Sequence, residues 1–317
     1  MDPETGTYYT NLPTPTGIAS DPALAAKGVD QSKELAAHLT KVDPPIDVIY
    51  SSPFYRCLQT LAPTVSALND GRSEDDKLLI HAENGIGEFY GLARFDHPSP
   101  ATLDVLVEHF PKHLNKDYAD VTIRPSVNGE SLETLHDRIA YSLHHVIERL
   151  DKDPKAPKTL LICTHAASMI CIGRSLTGHM PEDMGEEDFN CFTCSFSKFN
   201  RRSKPTTSGS GAKESQKIQA WDPSRPEDVP DVEWKGNGVQ GGWDCEINGD
   251  CSFLSQGAER GWYASFFLSF SFVSLIVGFC ARNDLLRLLC TCSSSHHPVY
   301  GPQHGHNNFP SLDLRSI

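Results

Sequence analysis

Two cationic residues stand at equivalent places behind two apolar runs. In "PIDVIYSSPFYRCLQT" (residues 45–60) a short buried strand, Ile46–Tyr50, leads into Ser52 as a helix cap and Pro53 at the first helical position. Arg56 then falls about one turn inside that helix, where the macrodipole disfavours a positive charge unless an anion is held there. In "LLICTHAAS" (160–168) His165 follows a second apolar strand, Leu160–Cys163, just before another helix. Ligands of α/β sheets bind at the carboxyl ends of the strands. Taken singly, Arg56 reads as a surface side chain lying over its neighbours and His165 as a turn residue. Taken together they predict a phosphate-sized anion pocket, in which a guanidinium fork recognises oxygens in pairs.

The elements that must position these groups occupy residues 16–200, where helical periodicity alternates with short apolar strands, the pattern of a sheet covered by helices. Ser20-Asp21-Pro22 reads as a helix start, with Val29, Leu35, Ala36 and Leu39 on its apolar face. After Gly129, the residues Leu132, Leu135, Ile139, Leu143, Val146, Ile147 and Leu150 form one stripe, with Glu133 in the first turn. Gly178 stops the helix that follows His165. A net charge of −13 lacks the basic stripe that phosphate backbones demand, so direct nucleic-acid binding is not expected. Ten cysteines without a signal peptide at Met1-Asp2-Pro3 fit a reducing compartment, cytoplasmic or nuclear.

These stretches resemble motifs of the histidine phosphatase superfamily, the phosphoglycerate-mutase-like proteins. "VIYSSPFYRCLQT" resembles its second-arginine motif, "LLICTHAAS" its second-histidine motif and "ASDPALAAKGVDQSKELAAHL" its Leu-Thr-x-x-Gly helix. "NGES" (128–131) is similar to its Gly-Glu-Ser element and "AENGIGEFYG" (82–91) to the segment supplying its acid. The resemblance covers residues 16–178 and implies a three-layer α/β/α fold and a phosphohistidine mechanism, in which positioning and charge neutralisation do most of the catalysis. It implies Arg56 as a phosphate clamp, His165 as the second histidine at phosphate and catalytic centre, and Glu88 as the acid, with Glu83 as the alternative. It implies no cofactor and no metal, and a phosphate-containing small molecule or phosphoprotein as substrate.

One motif is not in the sequence. The superfamily's Arg-His-Gly, which supplies the nucleophile and the first arginine, belongs ahead of "PTGIASDPALAAKG", where the chain reads "MDPETGTYYTNLPTPTG" with no histidine before His38. The expectation is therefore a fold lacking its first central strand and a chain without phosphatase activity, leaving unpaired strand edges.

Residues 1–200 read as the phosphatase-like domain and 201–217, Ser/Gly/Lys-rich, as a linker. Residues 218–262 form an acidic segment; from Trp221 to Trp262 it holds all four tryptophans and nine acidic residues against three basic ones. It either docks on its own core or serves as a partner-binding arm. Its "WDCEINGDCSFLSQGAERGW" resembles the extension of fungal members of the superfamily, some similar to a small subunit of RNA polymerase III transcription factor IIIC. That gives the alternative function of a non-catalytic binding module in such a complex. The tail, 263–317, overlaps a run of 21 uncharged residues, 261–281, long enough to span a bilayer as a tail anchor, while "WYA" (262–264) can encode a splice donor and so a translated intron. Cys191-x-x-Cys194 with Cys245 and Cys251 have poor zinc spacing, and Cys290, Cys292, His296 and His297 lie in that tail.

Overall fold

The computed structural model describes residues 2, 5–118, 121–202 and 218–261, together with the backbone of two strands, 274–277 and 287–291. Helix α1 (Ala26–Leu39) is followed by strand β1 (Val48–Ser51), helix α2 (Tyr55–Leu68), strand β2 (Ile80–Ala82) and the short helix α3 (Leu103–His109). Helix α4 (Leu132–Lys152), strand β3 (Thr159–His165), helix α5 (Ala166–Thr177), strand β4 (Phe196–Arg201) and strand β5 (Trp243–Asp250) come next. Strands β6 (Ser274–Val277) and β7 (Arg287–Thr291) complete the order.

The strands form one sheet in the order β2-β1-β3-β7-β4-β5, with β6 also paired to β3. The β1, β2 and β3 ladders are parallel, and Val48, Ile49, Tyr50 and Ser51 face Leu160, Leu161, Ile162 and Cys163. Side chains alternate across β3, as strand geometry requires. Leu160 and Ile162 join the core with α4 and α5, whereas Leu161 and Cys163 join the core with α1 and α2. The result is the expected α/β/α layering, each helix pair covering one face.

Local chemistry explains most of the boundaries. Ser131 caps α4 by accepting a hydrogen bond from the Thr134 amide at 3.1 Å, and the apolar stripe from Leu135 to Leu150 is buried as its spacing predicts. Gly178 ends α5 in the left-handed conformation, φ +80°, and a Cβ there would stand 2.6 Å from the Gly238 nitrogen. Two boundaries differ from expectation. Helix α1 begins at Ala26 rather than near Ser20, and α2 begins at Tyr55 with Phe54 as cap rather than at Pro53 with Ser52. Both follow from Asp21, whose carboxylate accepts from the Tyr55 amide at 2.6 Å and the Arg56 amide at 3.4 Å. It therefore caps the second helix instead of the first.

Among the described residues no strand precedes β1, yet the edge of β3 facing away from β1 is not left bare. Its first half, Thr159–Leu161, pairs in parallel with β7, and its second half, Ile162–His165, pairs antiparallel with β6. The unpaired interior edge expected from the missing motif is thus corrected by strands from the tail. Strand β6 also corrects the membrane reading. Ser274–Val277 lies inside the span expected over 261–281 and is extended, and among the described residues no helix is long and apolar enough to cross a membrane. The rest of that span from Trp262 on lies outside the described residues, as do 203–217 of the expected linker.

The tryptophan-rich segment packs on the same body. Strand β5 extends the sheet antiparallel to β4, Trp234 and Trp243 are 1% and 0% exposed, and Trp243 Nε1 donates to the Val239 carbonyl at 2.9 Å. Neither ring has a free face for a partner; Trp262 lies outside the described residues. The zinc reading of the cysteines does not hold either. Cys191 belongs to the core on one face of the sheet, Cys194 and Cys251 to the core on the other, and burial pushes all three thiols up, away from the thiolate a metal needs. The cysteines and histidines of 290–297 lie outside the residues whose side chains are described.

Candidate functional site

Parallel pairing sets Ser51 opposite Cys163, so the chain leaves β1 and β3 side by side at their carboxyl ends. The Ser52 amide donates to the Cys163 carbonyl at 2.7 Å, and Ser52 Oγ lies 2.6 Å from His165 Nε2. His165 is the last residue of β3 and the cap of α5 and is fully buried. One turn beyond Ser52, Arg56 Nη2 reaches 3.2 Å from His165 Nδ1. The two sequence-predicted cations do converge.

What they converge around is a carboxylate. Glu88 Oε2 accepts from Arg56 Nη2 at 2.6 Å and lies 2.9 Å from His165 Nδ1, while Glu88 Oε1 accepts from the Phe89 amide at 3.1 Å. Arg56 Nη1 donates to Asp21 Oδ1 at 3.0 Å and to the Ser20 carbonyl at 3.1 Å, and its guanidinium covers the Phe54 ring at 4.7 Å. Asp21 thus supplies one negative charge both to the amides opening α2 and to the arginine beside them. This is how a cation is tolerated in the first turn.

Burial works to raise the Glu88 carboxyl, but the His165 charge and hydrogen bond, with Arg56 beyond them, outweigh it and hold the group down at about 2. His165 is pushed the other way: burial would lower it, and the acidic groups Cys57 and Glu88 beside it raise it. As arranged, Glu88 is an ionised counter-ion rather than a proton donor at neutral pH. Glu83, the other acid candidate, stands apart. It is fully buried and accepts from the Gly85 amide at 2.8 Å, Tyr118 Oη at 2.7 Å, and the amide and hydroxyl of Thr122, both at 3.1 Å. Those bonds fix the turn on which Glu88 is carried.

The loop 85–88 is clamped from two further sides. Arg138 of α4, fully buried, donates Nη1 to the Gly85 carbonyl at 2.9 Å and pairs through Nε with both oxygens of Glu130 at 3.1 and 2.9 Å. Ser168 of α5 donates to the Gly87 carbonyl at 2.6 Å, and Thr164 of β3 bonds the Ile86 carbonyl. Over the outer side, Tyr8 hydrogen-bonds His97 Nδ1 at 2.9 Å and meets Tyr90 edge to face at 6.1 Å. These contacts place the amino-terminal segment against the site, and burial with the Glu88 charge raises Tyr8 to about 12.

Sequence reading misses Asp21, Arg138 and Cys57. Arg138 carries a legible signal, because it falls three residues after Leu135 on the apolar stripe, where a charge must be paired. Asp21 carries none, since its target lies 35 residues away. The Arg56 guanidinium lies between two carboxylates and beside an imidazole, its charge already met by Asp21 and Glu88.

A family model described as histidine phosphatase superfamily (branch 1) matches residues 7–208. The chain is similar to the transcription factor tau 55 kDa subunit of Saccharomyces cerevisiae, at 31% identity over 254 residues, covering 78% of this chain and 52% of that protein. It is also similar to the ecdysteroid-phosphate phosphatase of Drosophila melanogaster, at 29% identity over 176 residues, covering 55% of this chain and 22% of that one. It therefore spans about half the length of the first relative and less of the second. Among solved structures it resembles the ecdysone phosphate phosphatase from Bombix mori in complex with tungstate, with 17% identity, 52% of this chain and 63% of that chain covered, and a TM-score of 0.44.

Proposed function

Because the chain belongs to the histidine phosphatase superfamily, branch 1, we propose that it uses the superfamily's scaffold as a binding subunit of a protein assembly of the transcription-factor kind and does not turn over phosphomonoesters. The observation that carries this reading is the occupancy of Arg56. Its guanidinium bonds Asp21, Glu88 and the Ser20 carbonyl, so the anion pocket is filled by the protein's own carboxylates. Phosphoryl transfer further requires a nucleophile in line with the leaving oxygen and a donor for that oxygen. Glu88, held down by His165 and Arg56, has no proton at neutral pH to supply that donor. Similarity to a transcription factor subunit over 78% of the chain supports the assembly and, with it, a nuclear location.

The second reading is a hydrolase acting on a phosphate ester. The meeting of Arg56, Glu88 and His165, and the similarity to an ecdysteroid-phosphate phosphatase, favour it. On this reading phosphate would replace the carboxylates on Arg56, Glu88 would regain a proton as its partners turned to the ligand, and His165 would hold an equatorial oxygen.

Two measurements separate the readings. The binding reading expects no turnover of p-nitrophenyl phosphate by the 317-residue chain, and recovery of further transcription factor subunits when the tagged chain is isolated from a fungal host. Turnover that disappears in His165→Ala, with no such subunits recovered, establishes the hydrolase.

A further inference from the structure

On the helix that carries Arg138, but nearer its carboxyl end, the sequence His144-His145-x-x-Glu148 places three metal-ligating side chains on one surface. Residues four apart on a helix stack and residues three apart adjoin, so Glu148 stands over both imidazoles. One ligand atom from each of the three lies within 4.8 Å of the others, and all three side chains are partly buried. The two rings meet edge to face at 5.2 Å, and Tyr141 packs against the second at 4.4 Å.

Two independent observations suggest that this arrangement takes a ligand. His145 Nε2 is buried without a hydrogen-bond partner, an arrangement that costs free energy for a group able to accept. Across from α4, Gln240 sits in the left-handed region, φ +52° and ψ +38°, and its side-chain amide lies 3.1 Å from His144 Nδ1. A non-glycine residue in that conformation is uncommon and persists where its surroundings hold it there. The constraint is built in: Arg201 donates Nε and Nη2 to the Gln240 carbonyl at 3.0 and 2.8 Å, and its Nη1 pairs with Asp151 of α4.

We propose that His144, His145 and Glu148 bind a divalent transition-metal ion of the zinc or nickel class, with the Gln240 amide as a fourth donor, and that the ion clips the 239–241 turn to α4. Imidazole nitrogen is the favoured donor for these ions, and a tetrahedral ion at 2.0–2.1 Å from each ligand needs donors roughly 3.3 Å apart. The cluster, within 4.8 Å as it stands, has to close to that spacing by side-chain rotation. A half-turn of the Gln240 amide puts its oxygen where its nitrogen faces His144, a choice that the hydrogen-bond partner decides. The Glu148 carboxylate is ionised and must leave Lys152, its partner at 2.8 Å. Because Gln240 follows Trp234 and leads into β5, the ion would fasten the tryptophan-rich segment to the helix that also anchors the Glu88 loop.

The test is nickel titration of the full chain after dialysis against chelator, followed by calorimetry and by thermal unfolding with and without the ion. One ion is expected per chain, with a raised melting temperature, because a ligand of the folded state stabilises it. His145→Ala and Glu148→Gln should each weaken binding at least about tenfold, and Gln240→Ala should weaken it less, with the thermal shift reduced in proportion. Glu148 is at the surface, so Glu148→Gln keeps the test valid if a histidine variant misfolds. The cupric complex should show nitrogen coupling from two imidazoles. The proposal is overturned if the chain takes up no nickel, if His144→Ala/His145→Ala binds as the parent does, or if binding is lost instead in His179→Ala, whose side chain adjoins a separate cluster with Glu186 and Asp188.

Discussion

Arg56 shows how one side chain can look like a ligand site and act as a structural post. Its charge is met by Asp21 and Glu88, both buried, and Asp21 also closes the first amides of α2. Removing Asp21 leaves Arg56 with Glu88 alone and strips the Tyr55 and Arg56 amides of their acceptor, so a buried charge loses one of its two partners and the helix its cap, at a cost of about 3 kcal/mol. Asp21→Ala is therefore expected to lower the free energy of unfolding in urea by at least about 3 kcal/mol. A loss below about 1 kcal/mol, the scale of an exposed pair, would place Arg56 in solvent rather than between two buried acids. The same logic fixes the chemistry of Glu88: a carboxyl held at about 2 by its two cations cannot protonate a leaving oxygen until something takes those cations away.

The element that organises the site is α4. One face carries the apolar stripe, one position carries Arg138 into the Glu88 loop, and His136 stacks on Trp234 with rings nearly parallel, 6° apart at 5.9 Å. His136 Nδ1 bonds the Leu132 carbonyl at 2.6 Å and Nε2 has no partner, so burial lowers this imidazole to about 4. The folded pKa lies below the unfolded value of about 6.5. Above pH 6.5 neither state binds the proton and this group leaves stability unchanged. Between pH 6.5 and 4 the unfolded chain binds a proton that the folded one refuses, so stability falls as pH drops, by up to about 3 kcal/mol, and levels off below 4. Urea unfolding at pH 7.5 and pH 4.5 should show this loss in the parent, and the difference should shrink by about that amount in His136→Gln. An unchanged difference would mean that His136 is protonated in the folded state. The packing is close around the loop as well: a Cβ on Gly85 would stand 1.8 Å from Ser142 Oγ of α4, so Gly85→Ala should cost about 1–3 kcal/mol in the same assay.

For the whole molecule, the organising fact is a sheet whose middle is completed from the far end of the chain. Strand β7 stands between β3 and β4, and β6 covers the remainder of the β3 edge up to His165. Two interior edges would otherwise present unpaired backbone groups, a template for aggregation. Deleting residues 262–317 should accordingly lower the melting temperature and yield soluble aggregates on size exclusion, while a truncated chain that stays monomeric with the parent's melting temperature would show that those strands add nothing. Trp234 and Trp243, buried in the core beside α4 and α5, make the segment after the 203–217 stretch part of this body.

Much of this was legible in the order of residues. Periodicity located α4 and its stripe, Gly178 ended α5, and the apolar runs before Ser52 and His165 placed a cation at the end of each of two strands, because local spacing dictates which side of an element is buried. Motif order likewise determined the superfamily. Tertiary structure decided what the sequence left open: that Asp21 caps α2 rather than α1, that Glu83 is a bolt for its turn while Glu88 meets Arg56 and His165, and that the tail closes the sheet. Each of these depends on a contact between residues far apart in the chain, and long-range pairing is set by which buried charge or open strand edge finds a partner, a competition that no local spacing records.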